Sequence, residues 1–131
     1  MAIRTVTSVT LADTSVWIDH LRSENSVMRQ LLSSQLLRIH PFVIGELGVG
    51  NLNPRASILR FLVRLPQLSV AKHMEVMHFI DRHELYGVGI GLIDAHLLAA
   101  VALTPGTRLW TRDKRLLVAA ERLNLNFSAR E

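Results

Sequence analysis

The chain of 131 residues contains no cysteine. That excludes disulfides, thiolate-bound zinc and a cysteine nucleophile. Its longest apolar runs fall far short of the ~20 residues that a membrane span needs. The N-terminus, with Arg4 among threonines and no apolar segment behind it, lacks a signal-peptide pattern. The expectation is a soluble, cytoplasmic protein that does not associate with membranes. The glycine-rich run Gly87-Val88-Gly89-Ile90-Gly91 is not followed by Gly-Lys-Ser or Gly-Lys-Thr, so it is no phosphate-binding P-loop, and a hinge or substrate-gating loop fits better. His73, His78 and His83 are spaced by five residues, which scatters them around a helix instead of stacking them as metal ligands.

Acidic residues are few, 11 against 15 Lys and Arg, for a formal net charge of +4. Thirteen of the basic residues are arginines, whose planar fork of donors matches phosphate, and the bias favours nucleic acid over other partners. A chain this long folds as one domain, residues 1–131, burying roughly two-thirds of its unfolded surface.

The organising stretch runs from Val9 to Asp19. From about Val6, β-branched and apolar residues predict a buried strand ending at Ala12, with Asp13 at its carboxyl end. Thr14 and Ser15 are natural helix N-caps, and Val16, Trp17, Ile18 and Leu21 supply the apolar face of a short helix. A carboxylate at such a junction sits on the rim where open parallel sheets bind ligands. It can equally be a simple helix cap.

Further on, Asn25 or Ser26 caps a helix carrying Val27, Leu31 and Leu32, and Leu36 to Ile39 reads as a strand. Pro41 suits a first helical position, with Glu46 inside the helix that follows. Asn53-Pro54 reads as a capped helix start, with the helix running until Pro66. Leu68 to Ala71 reads as a short strand, and Lys72 to His83 as a surface-packed helix. The glycine run opens onto an apolar helix with Asp94 in its first turn. Arg108 to Thr111 is strand-like, Asp113 begins a last helix, and Asn126 to Ser128 reads as an edge strand. Strands alternating with helices predict an α/β fold, a central and mostly parallel sheet flanked by helices on both faces.

The acids sort by setting. Glu24, Glu75, Asp81, Glu84, Glu121 and Glu131 fall on polar helix faces, in loops or at the terminus, where solvated charge is expected. Asp19, on a short amphipathic helix, is expected at the surface, with an approach to the site from that helix as the alternative; Trp17 and Trp110 are expected in the core, with base stacking as the alternative. Asp13 and Asp113 follow strands, Asp94 opens an apolar helix, and Glu46 is embedded in Val-Ile-Gly-Glu-Leu-Gly. Four converging acids repel one another without a cation, and hard ions such as Mg²⁺ or Mn²⁺ want oxygen ligands of this kind. Neutralising one of them, as in Asp13→Asn, is therefore expected to stabilise the metal-free protein. Capping explains each aspartate singly but not Glu46, and not the set.

Four segments, Ala-Asp13-Thr14-Ser15-Val-Trp-Ile-Asp, Ile-Gly-Glu46-Leu, Ile-Asp94-Ala-His-Leu-Leu-Ala-Ala and Leu-Trp-Thr111-Arg-Asp113-Lys-Arg-Leu, resemble the four motifs of PIN-domain ribonucleases. More narrowly, they resemble the VapC-type toxins of bacterial toxin-antitoxin pairs. The likeness spans nearly the whole chain in the right order, and it includes the Leu-Tyr-Gly-Val-Gly-Ile-Gly lead into Asp94. It implies a single PIN-like nuclease domain, a catalytic quartet of Asp13, Glu46, Asp94 and Asp113, divalent-metal-dependent endoribonuclease activity on RNA, inhibition by a cognate antitoxin, and homodimers.

The residues suit that chemistry on their own terms. A metal held by Asp13, Asp94 and Asp113 would activate water for phosphodiester hydrolysis, with Glu46 positioning water or holding a second ion. Ser15 and Thr111 suit hydrogen bonds to water or to the ligating carboxylates, or simple capping. Arg112, Lys114 and Arg115 suit the RNA backbone, or are solvated charges. Two rivals stand beside this. One is a non-catalytic RNA-binding module, which would not need four acids in its cleft. The other is a phosphoacceptor-type signalling domain, which resembles a pattern with adjacent acids after the first strand and a lysine after the last; Asp13 lies between Ala12 and Thr14, and no lysine follows Asn126.

Overall fold

The computed structural model describes residues 8–129; the expected strand start at Val6, together with Arg4 and Glu131, lies outside them. Strand β1 (Val9–Ala12) leads into helix α1 (Thr14–Arg22), followed by α2 (Ser26–Ser33) and the short β2 (Leu37–Arg38). Next come α3 (Pro41–Val49), α4 (Arg55–Val63), α5 (His73–Arg82) and α6 (Leu92–Ala102). Strand β3 (Thr107–Trp110) and α7 (Lys114–Arg122) close the described chain.

The sheet order is β2-β1-β3, with both pairings parallel. Thr10, Leu11 and Ala12 of the central strand are all 0% exposed. Successive strand side chains point to opposite faces, so this continuous burial means that both faces of β1 are covered. Parallel bridges Ile39↔Gln67 and Leu109↔Asn126 extend the sheet at each side. The strand expected at Leu68–Ala71 does not form, the bridge falling one residue earlier at Gln67, and the one expected at Asn126–Ser128 is reduced to a single bridge, because only the residues beside Ile39 and Leu109 find a ladder partner.

Helix α6 is buried all round, from Ala95 through Val101. Its alanines let it approach α5 and β3 closely. Trp17 is buried, as expected; Trp110 is half-buried and packs its ring on Phe127 at 5.1 Å. Helix α4 differs from expectation at both ends. Pro54, not Asn53, is its N-cap and offers no side-chain bond, and the helix stops at Val63, ahead of Pro66.

His40, fully buried at the end of β2, caps α3: its Nδ1 accepts from the Phe42 N–H at 3.0 Å, with Pro41 opening the helix. Burial, with His96 nearby, holds its pKa down at about 4 from the usual 6.5. Below pH 6.5 the unfolded chain takes up a proton that the folded chain refuses until about pH 4, so stability is full above 6.5 and falls as pH falls. The full difference corresponds to about 3 kcal/mol. His40→Asn keeps a capping acceptor but cannot titrate. Thermal melts are expected to show the variant less stable than wild type at pH 7, from lost packing, and flatter between pH 6.5 and 4. Equal slopes would show that His40 does not titrate in this way.

Candidate metal-dependent active site

Three of the four acids sit where a strand or loop gives way to a helix. Asp13 directly follows β1, and its own N–H extends the ladder by donating to Trp110 O at 3.0 Å. Its backbone is extended, and its Oδ1 accepts from Val16 N at 3.2 Å, so Asp13 itself is the N-cap of α1. Thr14 and Ser15, expected as caps, are consequently the first residues inside the helix, with their hydroxyls free for other work. Ser15 Oγ donates to Asp13 Oδ1 at 2.6 Å and accepts from Arg112 N at 2.9 Å. Thr111 Oγ1 donates to Asp13 Oδ2 at 2.5 Å and accepts from Asp113 N at 3.0 Å. Two hydroxyls thus lock the end of β1 to the loop after β3, and both Asp13 oxygens are engaged.

Asp113 caps α7 through Leu116 N at 3.0 Å and is exposed. Asp94 lies in the first turn of α6, where its Oδ2 accepts from Gly91 N at 3.2 Å. Capping therefore holds for all three aspartates, alongside whatever else they do. Glu46, in mid-helix α3, caps nothing; its Oε1 accepts from Thr14 Oγ1 at 2.5 Å. That contact ties the α1 start to α3 and was missed from the sequence, where nothing links residues 14 and 46. His40 as the cap of α3 was also missed, although a hydrogen-bonding residue before Pro41 is a recognisable cap signal.

Asp94 lies within electrostatic reach of the other three acids. Burial raises the Asp94 pKa above its usual value; the Gly91 N–H pulls it down, and the negative charges of Asp113, Asp13 and Glu46 push it up further. Burial also raises Asp13, against the lowering effect of its bonds from Ser15, Thr111 and Val16. Among the described residues, no lysine or arginine forms an ion pair with any of the four; Arg112 instead pairs with the half-buried Asp19 at 3.5 Å, which places Asp19 beside the loop that carries Thr111 and Asp113. Lys114 and Arg115, on the exposed first turn of α7, flank the group.

The donor set is entirely oxygen, which suits a hard divalent cation. Among the described residues no group of three His, Asp or Glu side chains is placed so that it could hold a metal ion. Mg²⁺ does not need such a group, since it keeps several waters and takes only one or two carboxylates.

Fold and site together define a parallel α/β protein with an acidic centre at the carboxyl edge of its sheet. A PIN-domain family model matches residues 10–122. The chain is 47% identical over 109 residues to Ribonuclease VapC32 of Mycobacterium tuberculosis, in strains CDC 1551 / Oshkosh and ATCC 25618 / H37Rv, covering 83% of this chain and 88% of the relative. It shares its fold with the crystal structure of PAE2754 from Pyrobaculum aerophilum, at a TM-score of 0.61 and 20% identity, over 88% of this chain and 81% of that one. The chain belongs to the PIN-domain family, in its VapC-type branch.

Proposed function

We propose that this protein is a metal-dependent endoribonuclease, the toxin of a toxin-antitoxin module, acting in the cytoplasm through a single domain. The observation that carries the reading is the place of Asp94 in the first turn of the buried helix α6, its carboxyl raised by burial and by the charges of Asp113, Asp13 and Glu46, with no Lys or Arg ion pair to any of the four among the described residues. A centre of this kind is relieved by Mg²⁺ or Mn²⁺, for which Asp13, Asp94 and Asp113 are the proposed ligands, one or two of them directly and the rest through the ion's waters. Such an ion would supply a more acidic water and offset charge on phosphate oxygens.

The chain's own groups do the rest. Thr111 and Ser15 hold Asp13 in one orientation. Thr14 fixes one oxygen of Glu46 and leaves the other to orient a water in line with the phosphodiester and take its proton. Arg112, Lys114 and Arg115 draw the RNA backbone toward the acids, Arg112 less than the other two because its charge is partly offset by Asp19. Thr111→Val removes both the donor to Asp13 and the acceptor for the Asp113 N–H. It is expected to lower cleavage by roughly 10–100-fold while the protein still folds; an unchanged rate would remove Thr111 from the machinery.

Antitoxin control is supported by the surface next to Glu46. A groove of 380 Å³ has Glu46 in its wall together with Ile18, Leu21, Leu47, Leu52 and Ile58, beside the polar Arg22, Asn51 and Asn53. It adjoins a 190 Å³ hollow that includes Trp17 and Phe61, and Ile18, Leu21 and Phe61 are well exposed. An apolar antitoxin helix fits such a groove, with an arginine reaching the acids. The active species is proposed as a homodimer, which sedimentation of the purified protein decides.

The deciding experiment incubates the protein with assorted RNAs in Mg²⁺, in Mn²⁺ and in chelator, with and without its antitoxin. Cleavage in metal alone, and none in chelator or with antitoxin, is expected. No cleavage of any RNA would favour the non-catalytic RNA-binding alternative.

A further inference from the structure

Beside the acidic centre, the segment around Val88 lies against α7, and the two enclose a cavity of 240 Å³. Lys114, Arg115 and Arg122 line it with Val88, Val118 and Ala119, and no acid does. The cations are placed in different ways. The stem of Arg115 lies directly beneath Gly89, where an added Cβ would meet Arg115 Cδ at 2.6 Å and φ is +86°. Only glycine fits there, so loop and guanidinium are in contact. Arg122 Nη2 donates to His83 O at 2.8 Å, which anchors it at the cavity. Lys114 is exposed and forms no ion pair among the described residues. Two further side chains offer apolar or aromatic surface to solvent: Val118 in the cavity wall is 57% exposed, and Tyr86, two residues before Val88, is 62% exposed.

Both walls of this cavity lead from the acids. Lys114 directly follows Asp113, and the opposite wall ends at Gly91, whose N–H holds Asp94. A chain whose scissile phosphate sits at the carboxylates meets this groove next. Charge selects a polyanion, while the valines and the exposed tyrosine suit base faces, which a single strand offers and a duplex hides.

We propose that the groove between the residue 86–91 segment and α7 is a subsite for the single-stranded RNA flanking the cleaved bond. Lys114 and Arg122 contact backbone phosphates, Val88 and Val118 take apolar sugar or base surface, and Tyr86 stacks a base. This rests on the ribonuclease reading, but it is tested by binding in the absence of catalysis.

The probe is a fluorescently labelled oligouridylate of about twelve nucleotides, titrated with the full chain in chelator at several salt concentrations. Lys114→Glu is expected to weaken binding roughly tenfold or more and to lower the salt dependence by about one phosphate contact. Tyr86→Ala is expected to weaken it roughly tenfold with the salt dependence unchanged. Arg60→Glu, an equal charge change on the exposed side of α4, controls for overall charge and is expected to have little effect. Equal losses from Lys114→Glu and Arg60→Glu, unaltered binding by both groove variants, or stronger binding of a duplex RNA overturns the proposal. Cleavage in Mn²⁺, run in parallel, separates the two ideas. Wild type that binds through the groove but cuts no RNA fails the ribonuclease reading alone, whereas wild type that cuts while both groove variants bind normally fails the groove alone.

Discussion

Asp94→Asn is expected to reduce metal-dependent RNA cleavage by roughly 1000-fold or more, a loss of about 4 kcal/mol of transition-state stabilisation, while the fold is retained. The amide is nearly isosteric, and its oxygen can still accept the Gly91 N–H that Asp94 now accepts at 3.2 Å. What disappears is the charge that a hard cation requires. Single-turnover cleavage with excess Mn²⁺, read beside a thermal melt, checks both halves of the statement. Near-normal cleavage by a folded variant would remove Asp94 from the site. Asp13→Asn and Asp113→Asn carry the same expectation, with Glu46→Gln mildest if that residue acts through water.

The second large effect concerns stability. Mg²⁺ or Mn²⁺ at about one hundred times its dissociation constant is expected to stabilise the wild-type protein by about 2.7 kcal/mol. For a domain of this size that is a rise of roughly 10 °C in Tm. Asp94→Asn is expected to respond far less. In chelator near neutral pH the order reverses, and the variant melts above wild type. The sign follows from linkage. The Asp94 pKa is raised in the folded state by burial and by Asp113, Asp13 and Glu46, so above the usual 3.8 the folded protein holds a proton that the unfolded chain releases. Its contribution is complete below that value and is lost as pH rises through the folded pKa. Melts of both proteins with metal and with chelator decide the matter. A variant less stable than wild type in chelator, with neither responding to metal, would reduce the aspartates to helix caps.

Asp13 makes a poorer probe than the residue types alone suggest. Its carboxylate is also raised by burial, yet it caps α1 and accepts from Ser15, Val16 and Thr111. Asp13→Asn therefore sets relief of charge against loss of bonds costing about 1 kcal/mol each, and the expected gain in stability shrinks or vanishes. Asp94, with one backbone donor, reads the repulsion more cleanly.

Local chemistry determined much of this protein without a structure. A β-branched and apolar run closed by Ala12 and Asp13 marks β1, alternating burial in Thr-Arg-Leu-Trp suits β3, Pro41 marks the start of α3, and an apolar stretch rich in alanine marks α6. Each signal acts within a few residues, as hydrophobic periodicity and capping do. The four acids were legible for a related reason, since a carboxylate embedded in an apolar segment stands out in a chain with so few acids. Tertiary structure decided what those residues touch. Thr111 reaches Asp13 across 98 positions, Thr14 reaches Glu46 across 32, and Arg115 lies beneath Gly89. It also decided that Gln67 and Asn126 lie at single bridges with no full strand around them, and that His40 is held neutral down to about pH 4. These depend on which segments pack side by side, and so on burial and on the direction of each donor. Neither burial nor donor direction is a property of any one stretch of sequence.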